Sequence, residues 1–377
     1  MPVCHQINLQ RSFGGGEIYT RFFSEALVAL GWEVELFVAS GADFWHRLGM
    51  TGVRLREVAS EAQVLDALPR SSGLIVTHTA ASPGFAAALA QRHRLTGFVH
   101  MPLYERNPAG FSRYERLFAV SRHVLDSALA RGLSNLHAEP MYGVADLAPR
   151  PGEAGAAIKA QSIYDWDRRK FRDRLLGALA PLAGTTTAKP VFARRAGLTL
   201  GIVSRLTPIK QFPRMFSILA PVLARYSQMN LEIFGSGGYA SVRDLKRALA
   251  PMGRQVRFWG HQADVARVYP QLDYVLSGLP EKEALGLNLI EAQACGTPVL
   301  AVNAPPFTET VLDGATGYLF EDPRRDGGEG FGRLLDRLTA GAERHDPSAA
   351  AAHLARFSRD SFRARVREAL STISAGT

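Results

Sequence analysis

A chain of 377 residues exceeds what one ordinary hydrophobic core serves and fits two domains of common size. A hydrophobic share of 46% and a charged share of 21% exclude a disordered chain, and no apolar run approaches the ~18–20 residues that cross a bilayer. The formal charge of +9 is spread over both halves and suits an acidic or phosphorylated ligand or an anionic membrane surface; nucleic acid is not an expected partner, because no zinc-finger spacing, RNP-type aromatic strand or basic zipper accompanies it.

Taken in chain order, the opening predicts strand, glycine loop and helix. Val3–Leu9 is a buried strand, Gly14-Gly15-Gly16-Glu17 a loop, and Ile18–Leu30 a helix stopped by Gly31. Trp32–Val38 alternates as the next strand, and Leu74–Thr77, Gly97–His100 and Leu117–Val120 are further short apolar strands separated by helical stretches. Such alternation predicts a parallel sheet with helices on both faces. The pattern weakens between about residues 147 and 196, where Pro149, Pro151, Gly152 and Gly155 break the chain. It restarts with strand Leu198–Val203, helix Phe212–Leu223, strand Leu231–Phe234, helix Val242–Ala250 and strand Val256–Trp259. Strand Tyr274–Ser277, helix Leu287–Ala294, strand Pro298–Val302 and a turn at Gly314–Gly317 follow, and a last helix covers about Ser358–Ser371. The expected domains are residues 1–180, with an inserted connector helix at about 163–179, and residues 197–355, followed by a C-terminal helix within 356–377. Parallel sheets of this kind bind ligands outside the carboxyl ends of their strands. Cys4 and Cys295 are the only cysteines and the first residues lack a signal pattern, so a cytoplasmic location is expected.

The most informative stretch is EALGLNLIE, Glu283 to Glu291, followed by AQACGTPVLA. Two carboxylates bracket a small loop that runs into a helix starting near Leu287. Ala284 and Gly286 let a ligand approach the backbone, and the N–H groups at a helix start favour an anion. Carboxylates that accept from hydroxyls, beside amides that face phosphate, are what a nucleotide sugar needs. In GIVSRLTPIKQF, Gly201 to Phe212, a strand ends at Ser204 and delivers Arg205 and Lys210, two cations able to neutralise a departing diphosphate. The loop Gly14–Glu17 can also face phosphate. There is no GxGxxG and no ribose-binding acid after the second strand, which argues against a nicotinamide enzyme. His100 in TGFVHMP ends a predicted strand, and His78 in VTHTA is a lesser candidate.

Asp165-Trp166-Asp167 imitates a metal-binding Asp-x-Asp pair, but Arg168, Arg169 and Lys170 beside it explain the acids as helical ion pairs, so no metal is expected. The same segment, Tyr164–Leu176, has Trp166, Phe171, Leu175 and Leu176 among basic residues and also suits an interfacial helix on a membrane.

These motifs resemble those of the retaining GT-B glycosyltransferases of family 4, the glycosyl transferases of group 1. That family carries two acids within a run like EGFGLxLLEAMACGTPVVA, a GRLxPxKG segment and a GGxE segment. AVSRHV, YGVADL, LEIFGSGG and VRFWGH match further segments in the expected order, so the resemblance covers nearly the whole chain outside roughly residues 150–195. Ala284, Gln293 and Gln211 depart from the family's usual glycine, methionine and glycine.

The resemblance implies an α/β chain of two Rossmann-like domains facing each other across a cleft, with the C-terminal helix crossing back to the first domain. It implies that Glu283 bonds donor-sugar hydroxyls, that Glu291 bonds the ribose, and that the amides at Gly286 and Leu287 touch the diphosphate. Arg205 and Lys210 would form the diphosphate clamp, Gly15 and Gly16 would lie close to donor phosphate and acceptor, and His100 would lie near the donor sugar. The activity implied is transfer of a hexose-type sugar, with retention and without metal or other cofactor, from a UDP- or GDP-sugar to a glycan or lipid-linked acceptor, in the setting of bacterial cell-surface polysaccharide synthesis. A lipid-linked acceptor would make peripheral contact with an anionic membrane useful. The alternatives are a nucleotide-sugar epimerase or glycoside phosphorylase on the same fold, or a non-catalytic nucleotide-sugar-binding protein.

Overall fold

The computed structural model describes residues 1–148, 157–165, 189–341 and 345–374. The chain divides into two compact units, Met1–Asp146 with Ala355–Thr377, and Leu147–Leu354. The described residues of the segment expected between the domains therefore lie with the second unit from Leu147 onward. Most of the expected connector helix, with the Asp-x-Asp imitation and the interfacial face, lies outside the described residues.

The first unit is built on β1 (Val3–Asn8), β2 (Glu33–Ala39), β3 (Val53–Val58), β4 (Leu74–Thr77), β5 (Arg94–Val99) and β6 (Arg116–Ala119). All neighbours pair in parallel, in the order β3-β2-β1-β4-β5-β6. The chain steps outward from β1 to β3, then returns to the other side of β1, so the sheet reverses direction between β1 and β4. Buried throughout, β4 (LIVT) reads as a near-continuous apolar run rather than an alternating one, whereas β1 is buried from Cys4 to Asn8 although it carries His5, Gln6 and Asn8. The edge strand β3 was not anticipated. It alternates apolar residues with Arg54 and Arg56, and its outward positions are exposed, so it carries the pattern of a half-solvated strand instead. The first helix spans Gly15–Ala29 and so starts inside the glycine loop, three residues before the expected Ile18. Against it packs the last helix, Arg359–Ser374, through the buried Phe362, whose ring meets Tyr19 at 5.4 Å, and through an ion pair between Arg359 and Glu25 at 2.7 Å.

The second unit repeats the architecture with β7 (Leu198–Val203), β8 (Met229–Phe234), β9 (Val256–Phe258), β10 (Tyr274–Leu276), β11 (Val299–Val302) and β12 (Gly317–Phe320). The order is β12-β11-β10-β7-β8-β9, again parallel throughout. Here the reversal falls between β7 and β10, which pair through Tyr274–Leu200 and Val275–Gly201. Leu200, Ile202, Leu231, Ile233, Val275 and Leu300 fill the middle layer, with Phe216, Phe307 and Phe331 from the covering helices fully buried against them. Strand β12 begins where a glycine turn was expected, and a helix at Glu329–Thr339 was not foreseen. Among the described residues no helix is long and apolar enough to cross a membrane.

Candidate active site

The point where a parallel sheet reverses leaves the loops after its two central strands diverging, and this opens a crevice for ligand. In the second unit those loops are Ser204–Gln211 after β7 and Ser277–Gly286 after β10. They carry four of the six residues that the sequence nominates there, Arg205, Lys210, Glu283 and Gly286, and Leu287 and Glu291 follow in the next helix.

The two loops are tied together by backbone. The amide of Leu279 donates to the Lys210 carbonyl at 3.3 Å, and a Cβ placed on Gly278 would lie 2.4 Å from that same oxygen. Only glycine lets the loops approach this closely, and no motif along the chain marks Gly278 for that part. From this junction the Lys210 ammonium pairs with the Glu283 carboxylate, across side chains that are 19% and 14% exposed. Arg205 stands exposed at the start of the same β7 loop.

Gly286 adopts φ 81°, a left-handed conformation that favours glycine, and turns the chain into the helix Leu287–Ala294. Its position as helix cap leaves the Leu287 and Asn288 amides in the first turn, where the N–H groups have no intrahelical acceptor. The Asn288 side chain donates to the Val203 carbonyl at 3.2 Å, which fixes this helix start against the end of β7. Glu291 lies one turn further on, partly buried, and accepts from the Tyr269 hydroxyl at 2.9 Å. Burial pushes the Glu291 carboxyl up to about 7, against the opposing pull of the Tyr269 hydrogen bond and of the Lys210 charge. Tyr269 is fully buried and its backbone carbonyl is held by the Thr297 hydroxyl at 2.7 Å. Nothing in VARVYPQLDY marks Tyr269 as a partner of the acid, because the contact joins positions that are neighbours only in the fold. Gln293, one of the departures noted above, is buried and donates to the carbonyls of Leu289 and Thr310 at 3.1 and 3.0 Å.

In the first unit the nominated residues cluster at the other reversal. Gly15 opens the first helix and Gly16 has nothing within 4 Å of a would-be Cβ, so the backbone there is open on that side. His100 follows β5 and packs edge-on to Tyr19 of that helix at 5.0 Å. Burial holds its imidazole down at about 4, so His100 is neutral at neutral pH and offers a hydrogen bond rather than a charge. His78 lies 5.7 Å away, buried, and shares a hydrogen bond with Gln6 at 2.8 Å.

A doubly wound sheet whose reversal point gathers two carboxylates, two cations and a bare helix start has the parts for holding a sugar nucleotide by hydroxyls at one end and by phosphate at the other. Comparison with known proteins agrees. Residues 191–361 match the model of the family "Glycosyl transferases group 1". This segment is similar to the glycosyl transferases of group 1, and the fold is that of the GT-B glycosyltransferases. It is 27% identical over 366 residues to the D-inositol 3-phosphate glycosyltransferase of Rhodococcus erythropolis, covering 87% of this chain and 79% of that protein. It is 32% identical over 126 residues to a GDP-mannose-dependent monoacylated phosphatidylinositol monomannoside mannosyltransferase of Corynebacterium glutamicum, covering 31% of this chain and 32% of that one. Among solved structures, Anabaena HepE in complex with UDP superposes with a TM-score of 0.70 at 16% identity, covering 99% of this chain and 100% of that one. Sucrose-phosphate synthase from Thermosynechococcus elongatus gives 0.67, also at 16% identity, with complete coverage of both chains.

Proposed function

We propose that this chain is a glycosyltransferase that moves a hexose-type sugar from UDP or GDP to a glycan or lipid-linked acceptor, without a metal and with retention of configuration, as one step in building a bacterial surface glycan. The observation that carries the reading is the pairing of Lys210 with Glu283 at the sheet reversal, with the carboxyl of Glu291 within reach of the same ammonium charge. The donor diphosphate would share the Lys210 ammonium with Glu283 and face the open amides at Leu287 and Asn288. Arg205 would add a second cation from the end of β7. Glu291 would accept from the ribose hydroxyls and Glu283 from those of the sugar.

A leaving group that gains charge as the glycosidic bond breaks is stabilised by cations fixed in advance, which is the role that a divalent ion plays in other transferases. With no basic side chain beside the acceptor required, the departing phosphate oxygen itself accepts the acceptor's proton, and attack on the same face retains the configuration. His100, neutral at neutral pH, would hydrogen-bond the sugar, and Gly15 and Gly16 would line the approach to phosphate and acceptor. A relative's name mentions an inositol phosphate acceptor and another a phosphatidylinositol mannoside, both of which favour a polar or lipid-linked acceptor here.

The test is thermal melting with UDP, GDP, ADP and TDP. Ligand at ~100 times its Kd adds ~2.7 kcal/mol, a rise of several degrees for a chain of this size. A response to UDP or GDP supports the reading, and no response to any of the four removes it.

A further inference from the structure

We infer that Gln211 and Glu281 form a positioning pair that sets the Lys210 ammonium against the donor diphosphate, an inference that rests on the reading of the pocket given above. Gln211 holds a left-handed backbone, φ 53° and ψ 25°, where a residue with a Cβ is strained. It directly follows Lys210, at the junction between the turn Pro208–Lys210 and the helix Phe212–Leu223. The direction in which Lys210 leaves the backbone therefore depends on that conformation being kept.

The side chain of Gln211 is tethered. Its amide donates to Glu281 Oε2 at 2.7 Å, and Glu281 lies in the loop after β10, two residues before Glu283. Glu281 is itself held. Arg324 donates to its other oxygen, and Arg214 stands 3.8 Å from that oxygen. The Arg324 guanidinium also bonds Asp322, Nε to Oδ1 at 2.9 Å, and Asp322 in turn accepts from the Arg324 amide at 3.0 Å. One carboxylate thus joins the loops that follow β7 and β10 to the segment that follows β12. Glycine would occupy φ 53° without strain. Where this chain has glutamine instead, the Glu281 tether keeps the conformation, and the nearby arginines keep Glu281 ionised: burial raises its carboxyl, but the bonds from Arg324 and Gln211 outweigh that and leave it lowered.

The test uses the full chain and whichever of UDP, GDP, ADP or TDP raises its melting temperature, with the corresponding nucleoside as a ligand lacking phosphate. Calorimetry on Glu281→Ala is expected to show diphosphate affinity weakened about tenfold, about 1.4 kcal/mol, with nucleoside affinity unchanged. Adding Gln211→Gly to Glu281→Ala should restore most of the loss, because glycine needs no tether. A general structural defect would instead lower both affinities together and would not be rescued. Normal diphosphate binding by Glu281→Ala, or a double variant as weak as the single one, overturns the inference. Lys210→Ala separates the two levels: weak diphosphate binding there with normal binding in Glu281→Ala removes only the positioning pair, whereas normal binding in both removes the reading of the pocket.

Discussion

Replacing Lys210 by alanine tests the pocket most directly. The ammonium has two partners in the structure: it pairs with Glu283 across side chains 19% and 14% exposed, and its charge holds the Glu291 carboxyl down. A partly exposed ion pair contributes at most ~1 kcal/mol to folding, so the variant should melt close to the parent. The catalytic effect is larger. A charge-assisted bond to the leaving diphosphate is worth ~1.5–3 kcal/mol, which corresponds to about a 10- to 150-fold loss in kcat/KM. Because the charge on the diphosphate grows as the bond to the sugar breaks, most of that loss should fall on kcat. A second signature follows from Glu291. With the nearby cation gone, its carboxyl should titrate above the value of about 7 that it has now, so the acid limb of the pH profile should move to higher pH. The assay is release of nucleoside diphosphate from the donor identified by melting, followed from pH 6 to 9, beside Lys210→Met, which keeps the aliphatic stem. Unchanged kcat/KM in both variants would refute the reasoning, as would a loss of activity fully explained by unfolding.

Other outcomes are expected along the same lines. Nucleotide affinity of the parent chain should rise between pH 6 and 8, because the Glu291 carboxyl, pushed up to about 7, must ionise before it accepts strongly from ribose hydroxyls; a flat profile by calorimetry would contradict this. The folded chain holds that proton at pH values where the unfolded chain has lost it, so stability falls as pH rises from the ordinary carboxylate range through about 7. Glu291→Gln should therefore melt higher than the parent at pH 8 while binding nucleotide more weakly. Gly278→Ala places a Cβ 2.4 Å from the Lys210 carbonyl oxygen, and the forced shift should destabilise by ~1–3 kcal/mol and lower kcat by displacing Lys210; an unchanged melting curve would mean that the loops have room to yield. Activity should persist in EDTA, and abolition that magnesium reverses would point to a metal-bridged donor instead.

Where the sequence announces the fold, it does so through local signals. Leu198–Val203, Phe212–Leu223 and Leu287–Ala294 were readable to the residue because a continuous apolar run or a helical repeat ends at a distinct stop. Strand β3 was lost because Arg54 and Arg56 interrupt its apolar positions at an exposed edge, and β12 because Gly317 reads as turn although it opens a strand. The same division runs through the site. Glu283, Glu291, Arg205 and Lys210 stand in short motifs and could be picked out. Tyr269, Gly278, Gln211 and Glu281 could not be given their parts, since each acts on a partner brought to it by sheet topology rather than by spacing along the chain. Gln211 looked like a mere substitution for glycine; its left-handed backbone and its bond to Glu281 make it a substitution with a compensating partner.

Lys210 and Glu283 are 73 positions apart in the chain, yet they meet because β10 returns to pair beside β7. Contacts of such separation form late, after the loop-closure entropy has been overcome. The nucleotide pocket therefore cannot exist in any partly folded chain that has completed only β7, β8 and β9. Ligand selects the finished unit alone, and refolding in the presence of nucleoside diphosphate should pull the equilibrium toward the native state without hastening the early steps.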